Sequence, residues 1–111
     1  MIVDRFSKHL TAIQYPQEKT SWNIAGIIKD KNAFYKFDVR ETFNLPDGTP
    51  AQTGKTNTQA DKMVFESSDK WTIVDIEELH KHIKETKLRK FYLKDLVSKL
   101  DWTMFLDKSD D

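Results

Sequence analysis

The chain has no cysteine, only three glycines and three prolines, and no net charge, with 18 Lys plus Arg against 18 Asp plus Glu. Each shortage removes a class of protein. Without thiols there is no disulfide framework, no thiolate nucleophile and no zinc–thiolate centre. Without a basic excess, avid nonspecific binding to phosphate backbones loses its usual electrostatic footprint, although a local patch can sit inside a zero total. No apolar run approaches the roughly 20 residues needed to span a bilayer. Met1-Ile2-Val3-Asp4-Arg5 lacks the apolar stretch of a secretory signal. These absences make a soluble cytoplasmic protein the expectation.

What is present suits one compact core. The 111 residues fit a single domain, 1–111, and 38% are apolar, including seven Phe, three Trp and three Tyr. Val3, Phe6, Leu10 and Ile13 recur at helical spacing before Pro16, which predicts a helix over 2–14. Residues 22–28 and 34–40 read as strands, with Asp30-Lys31-Asn32 as the turn of a hairpin. Residues 44–61 hold two of the three Pro and two of the three Gly, and read as a long polar loop.

Further on, 63–65 and 71–74 read as strands about a Ser67-Ser68-Asp69 turn. Asp75, with Glu78 three residues later, has capping-box spacing and opens a helix over about 76–86. Phe91-Tyr92-Leu93 reads as a short strand, Leu93 to Leu100 as a short helix, 102–106 as a terminal strand and 108–111 as a polar tail. The order is that of an α/β or α+β domain: a mixed central sheet with an N-terminal helix and C-terminal helices.

The strand 35–40 carries the most chemistry. Tyr35, Phe37 and Val39 point one way; Lys36, Asp38 and Arg40 point the other. Asn23, on the preceding strand, can share that polar face. Carboxylates on neighbouring strands that hold a hard divalent cation, with a cation beside the scissile phosphate, are what a metal-dependent phosphodiesterase needs. The plainer reading of Asp38 and Arg40 is a salt bridge of small value on an exposed strand face.

The helix, hairpin, acidic-x-basic strand, strand and helix resemble the PD-(D/E)xK nuclease superfamily over roughly residues 4–86. The segments Thr56-Asn57-Thr58-Gln59-Ala60-Asp61 and Trp71 to Leu79 look like small nuclease-like members of it. The resemblance implies a restriction-endonuclease-like fold. It makes Asp38 a Mg²⁺ carboxylate, puts Arg40 in place of the motif lysine and Asn23 near the first aspartate position, and gives Asp4 the acidic place on the first helix. Two departures weaken the chemistry it implies. Asn offers a neutral oxygen where a carboxylate is expected, and Arg keeps its proton where Lys can lose one.

Other signals carry less. Gly48 to Thr56 (GTPAQTGKT) has five residues between its glycines, where a P-loop has four, and no helix follows. Lys55 remains a candidate phosphate contact from the loop. His80 and His82 are two apart on a helix and do not share a face; His80 borders the apolar stripe and His82 lies on the solvent side. His9 has no evident partner. Lys81, Lys84, Lys87, Arg89 and Lys90 make the region 80–94 locally basic and the best candidate for a nucleic-acid-facing surface, although a solvated helix face explains them as well. Trp102 is the tryptophan most suited to a partner contact.

Two functions follow as expectations. One is a nuclease-like domain, catalytically weak or inactive, that binds nucleic acid or a nucleic-acid-processing partner; any surviving chemistry would be Mg²⁺-assisted phosphodiester hydrolysis. The other is a protein–protein module, such as an inhibitor or immunity protein of a mobile element, with an aromatic hot spot and a charged rim. A homodimer is compatible with either.

Overall fold

Apolar residues at alternate positions dictate most of the sheet. In a computed structural model, Ile24, Ile28, Phe37, Val39, Val64 and Ile73 all fall on one face of a mixed sheet and are buried. The structure describes residues 2–18, 21–29, 31–41, 43–44, 50–53, 59–67, 69–87, 90–92 and 97–108. The elements are α1 (Ile2–Ser7), β1 (Leu10–Gln14), β2 (Ile24–Ile28), β3 (Phe34–Glu41), β4 (Phe43–Asn44), β5 (Pro50–Thr53), β6 (Lys62–Glu66), β7 (Lys70–Asp75), α2 (Ile76–Thr86), β8 (Lys90–Tyr92) and β9 (Thr103–Asp107).

Six strands form one sheet in the order β1-β2-β3-β6-β7-β9, and β4-β5-β8 form a second. Within the larger sheet only β3 and β6 run parallel, so their connection is a crossover. The larger sheet has a core on each face. On one, Phe6 of α1 meets Phe37 and Trp71 edge-on, each at 5.3 Å between ring centroids. Such pairs add about 0.5–1.5 kcal/mol beyond the area they bury. On the other, Met63, Phe65 and Val74 pack against Ile76 and Leu79 of α2.

The hairpin β2–β3, the pair β6–β7, α2, β8 and β9 lie where the pattern predicted them. Residues 97–99 are helical, as the predicted last helix requires, while 93–96 lie outside the described residues.

The N-terminal segment differs. The expected helix 2–14 is α1 followed by β1. After Ser7 the chain tightens, with Lys8 N–H donating to Arg5 O and His9 N–H to Phe6 O. Leu10 then pairs with Ile28. Phe6 and Leu10 are both buried, so an apolar spacing of four is met by one residue on a helix and one on a strand. Gly26 permits this approach: a Cβ there would lie 2.8 Å from Thr11 O.

The long polar loop differs too, because its residues 50–53 form β5 and pair with β8. Of the expected tail, Lys108 is tied in. Its ammonium donates to Glu66 and to Ser67 O, both at 3.1 Å; 109–111 lie outside the described residues.

Candidate functional site

β3 delivers Asp38 and Arg40 to the face that carries Met63 and Phe65 of the parallel neighbour, because Asp38 registers with Met63 and Arg40 with Phe65. The two side chains close on each other. Arg40 Nε donates to Asp38 Oδ1 at 3.2 Å and Nη2 to Oδ2 at 2.9 Å. Asp38 is only 5% exposed. A two-pronged guanidinium–carboxylate contact is among the stronger ion pairs, and its geometry is fixed.

Asn23 does not join them. Its Oδ1 accepts from Val39 N–H at 3.1 Å and its Nδ2 donates to Val39 O at 3.4 Å. The side-chain amide thus stands in for a backbone rung and extends the β2–β3 ladder. Asp4 sits in the first turn of α1 and is exposed.

One carboxylate is offered, and a cation already covers both of its oxygens. Among the described residues no group of three or more His, Asp or Glu is placed to hold a metal ion.

Three of the basic candidates have described side chains. Lys81 and Lys84 are exposed on α2, and Lys87 forms its left-handed C-cap. Lys81 shares a hollow of about 180 Å³ with Glu78 and Glu85, so acid interrupts the base. Lys90 lies in β8, with its side chain outside the described residues; Lys55 and Arg89 lie wholly outside them. His80 is exposed and His82, which lines that hollow, is half-buried, so both are surface or boundary residues. His9 is buried beside the rings of Phe6 and Trp71, 6.3 and 6.4 Å from their centroids.

A second cluster has no counterpart in the sequence reading. Lys62 opens β6 on the opposite face and is 6% exposed. Its ammonium donates to Asp75 Oδ1 at 2.7 Å and lies 3.9 Å from the Trp102 ring centroid and 4.6 Å from that of Tyr35. Asp75 is also the N-cap of α2, accepting from Glu78 N–H. Burial works to raise the Asp75 carboxyl, but the hydrogen bond and charge of Lys62 and the N–H groups of Glu78 and Glu77 together hold it below its ordinary value.

Glu78 does not fold back as a capping box would have it. Its carboxylate accepts from Asp101 N–H and Trp102 N–H, at 2.6 and 2.9 Å, and so sets Trp102 over Lys62. Trp102 is therefore engaged within the chain and half-buried.

This cluster forms one wall of a cleft of about 400 Å³ lined by Phe34, Tyr35, Asp61, Lys62, Asp75 and Glu77 among others. Asp61 is fastened at its edge. It accepts from Lys36 N–H at 2.9 Å, and its own N–H donates to Lys36 O at 2.8 Å. Phe34 stands at the mouth, 44% exposed. Three carboxyl side chains and one ammonium line the cleft, so it has an acidic balance. No family model, curated protein or solved structure matches the chain. No helix among the described residues is long and apolar enough to cross a membrane.

Proposed function

We propose that this chain is a binding module for a protein partner, of the kind an inhibitor provides, and that the cleft beside β3 is where the partner is held. The observation that carries this reading is Phe34. It is a large aromatic side chain, 44% exposed, at the lip of a concave site whose walls are already fixed by internal bonds. An exposed aromatic beside a pre-formed pocket and a charged rim has the anatomy of an interface hot spot. The exposed Asp61 and Glu77 give the rim its sign, so the complementary surface is basic. An arginine or lysine of the partner would lie against the Phe34 ring with its charge toward those carboxylates.

The closed Asp38–Arg40 pair supports a non-catalytic role, since a carboxylate so neutralised is poorly disposed to bind a dication or a phosphate-bound metal. The nuclease-like alternative makes a different prediction for the same protein, namely binding to nucleic acid that weakens steeply with salt.

Affinity capture with the full chain and with Phe34→Ala separates the two. The protein-binding reading expects a protein that stays bound after nuclease digestion and between about 50 and about 200 mM salt. Phe34→Ala should weaken it about tenfold or more. Binding to duplex or single-stranded oligonucleotides that Phe34→Ala leaves unchanged would overturn the proposal.

A further inference from the structure

Asp61 is stitched to two walls of the cleft. Its N–H donates to Lys36 O at 2.8 Å, and its C=O accepts from Ile76 N–H at 3.1 Å. The first bond ties it to β3 and the second to the first residue of α2. Glu77 follows Ile76 in the chain. The second bond therefore brings the exposed side chains of Asp61 and Glu77 to one cleft from two different elements. The Asp61 side chain is itself oriented, since Oδ2 accepts from Lys36 N–H at 2.9 Å. A carboxylate has about four acceptor positions, so that one bond fixes the group without exhausting it.

The inner part of the cleft already holds a cation. Lys62 donates to Asp75 at 2.7 Å, beside the rings of Trp102 and Tyr35. A carboxylate and two aromatic rings are the surroundings in which a compact ammonium is best sheltered, and the chain's own lysine fills them. A cation arriving from outside meets the outer part instead, made of Asp61, Glu77 and the Phe34 ring. Phe34 registers with Ile27 of β2, which is half-buried, so the exposed ring borders further apolar surface.

That outer set suits a guanidinium better than an ammonium. A guanidinium is planar and weakly hydrated, stacks on an aromatic face, and presents five N–H donors in a fork that fits carboxylates. An ammonium is a compact, strongly hydrated point charge, and at a solvent-facing rim it gains little by leaving water.

We infer that the cleft selects arginine: a guanidinium of the partner forks to Asp61 and Glu77 and stacks on Phe34, and a lysine offered at the same place is bound more weakly. This inference rests on the reading of the cleft as a partner site and names the side chain that the site takes.

Amide chemical shifts of the full chain, titrated with N-acetyl-argininamide, N-acetyl-lysinamide and N-acetyl-citrullinamide, test it. Citrulline keeps the planar shape and loses the charge. The expected result is saturation by the arginine probe with a Kd on the order of millimolar, and shifts centred on Phe34, Asp61, Ile76 and Glu77. The lysine probe should bind about fivefold more weakly, and the citrulline probe should not saturate. Glu77→Gln changes an exposed side chain and leaves the backbone bonds of the cleft in place. It should weaken the arginine probe about threefold and bring it close to the lysine probe. Phe34→Leu keeps an apolar residue without the flat face, and should weaken the arginine probe more than the lysine probe. Equal affinity for arginine and lysine, no saturation by arginine, shifts centred away from the cleft, or a preference that Glu77→Gln leaves intact would overturn the arginine assignment. Capture of a protein through Phe34 would survive any of these results, so failure of the assignment and failure of the partner reading are told apart.

Discussion

Lys62 holds Asp75 at 2.7 Å while its ammonium is covered by the Trp102 ring at 3.9 Å. The pair joins the first residue of β6 to the N-cap of α2, and so fixes the wall of the cleft to both. An ion pair this sheltered is sensitive to the loss of either partner, because the survivor keeps its desolvation cost without its counter-charge.

Lys62→Met should therefore destabilise the protein by about 3 kcal/mol, although the apolar stem is largely conserved. Chemical denaturation gives the value. Replacing both members, Lys62→Met with Asp75→Asn, should cost less than the sum of the single changes, since Asn retains N-cap ability.

Stability should fall in acid through two identified carboxylates. Glu66 accepts from Arg5 at 2.9 Å and from Lys108 at 3.1 Å. Burial pushes its carboxyl up, but those two cations outweigh it and lower it, as Lys62 does for Asp75. Both groups bind protons more weakly folded than unfolded. Their contribution is whole above the ordinary values of 4.5 and 3.8 and is lost as pH falls through the lower folded values. Thermal melts from about pH 6 to about pH 2 should show this loss. Glu66→Gln should reduce stability near neutrality and flatten the acid limb.

Asn23→Asp separates a structural amide from a vestigial metal ligand. The account expects a loss of about 1–3 kcal/mol, because a carboxylate cannot donate to Val39 O. Magnesium titrated into the variant should leave its melting temperature unchanged. A rise with magnesium would favour the nuclease-like reading.

Arg40→Met should cost more than the double change Asp38→Leu with Arg40→Met. The single change strands a buried carboxylate, a loss of about 3–5 kcal/mol, and the double change removes both charges. Denaturant midpoints of the four proteins give the coupling.

The sequence shows elements whose signal is local. Asp75 with Glu78 marks the start of α2, and alternation marks β3. β1 is hidden because Phe6 and Leu10 fit a helix as well as a helix followed by a strand. β5 pairs with β4 on one side and on the other with β8, about forty residues on, and nothing in Pro50 to Thr53 announces either pairing. The candidate site follows the same division. The Asp38–Arg40 contact spans two residues and is visible as an alternation. Lys62 draws on Asp75, Tyr35 and Trp102, which only the sheet brings together. Asn23 reads as a polar face residue because an amide that replaces a backbone rung has no distinctive spacing.

A photoreactive residue at Phe34, in the full chain within its native cell extract, tests the central proposal most directly, with the same group at the exposed position Lys29 as control. The account predicts a discrete protein adduct from position 34 that survives nuclease digestion and is absent from position 29. An adduct to nucleic acid, or no adduct above the Lys29 control, would contradict it.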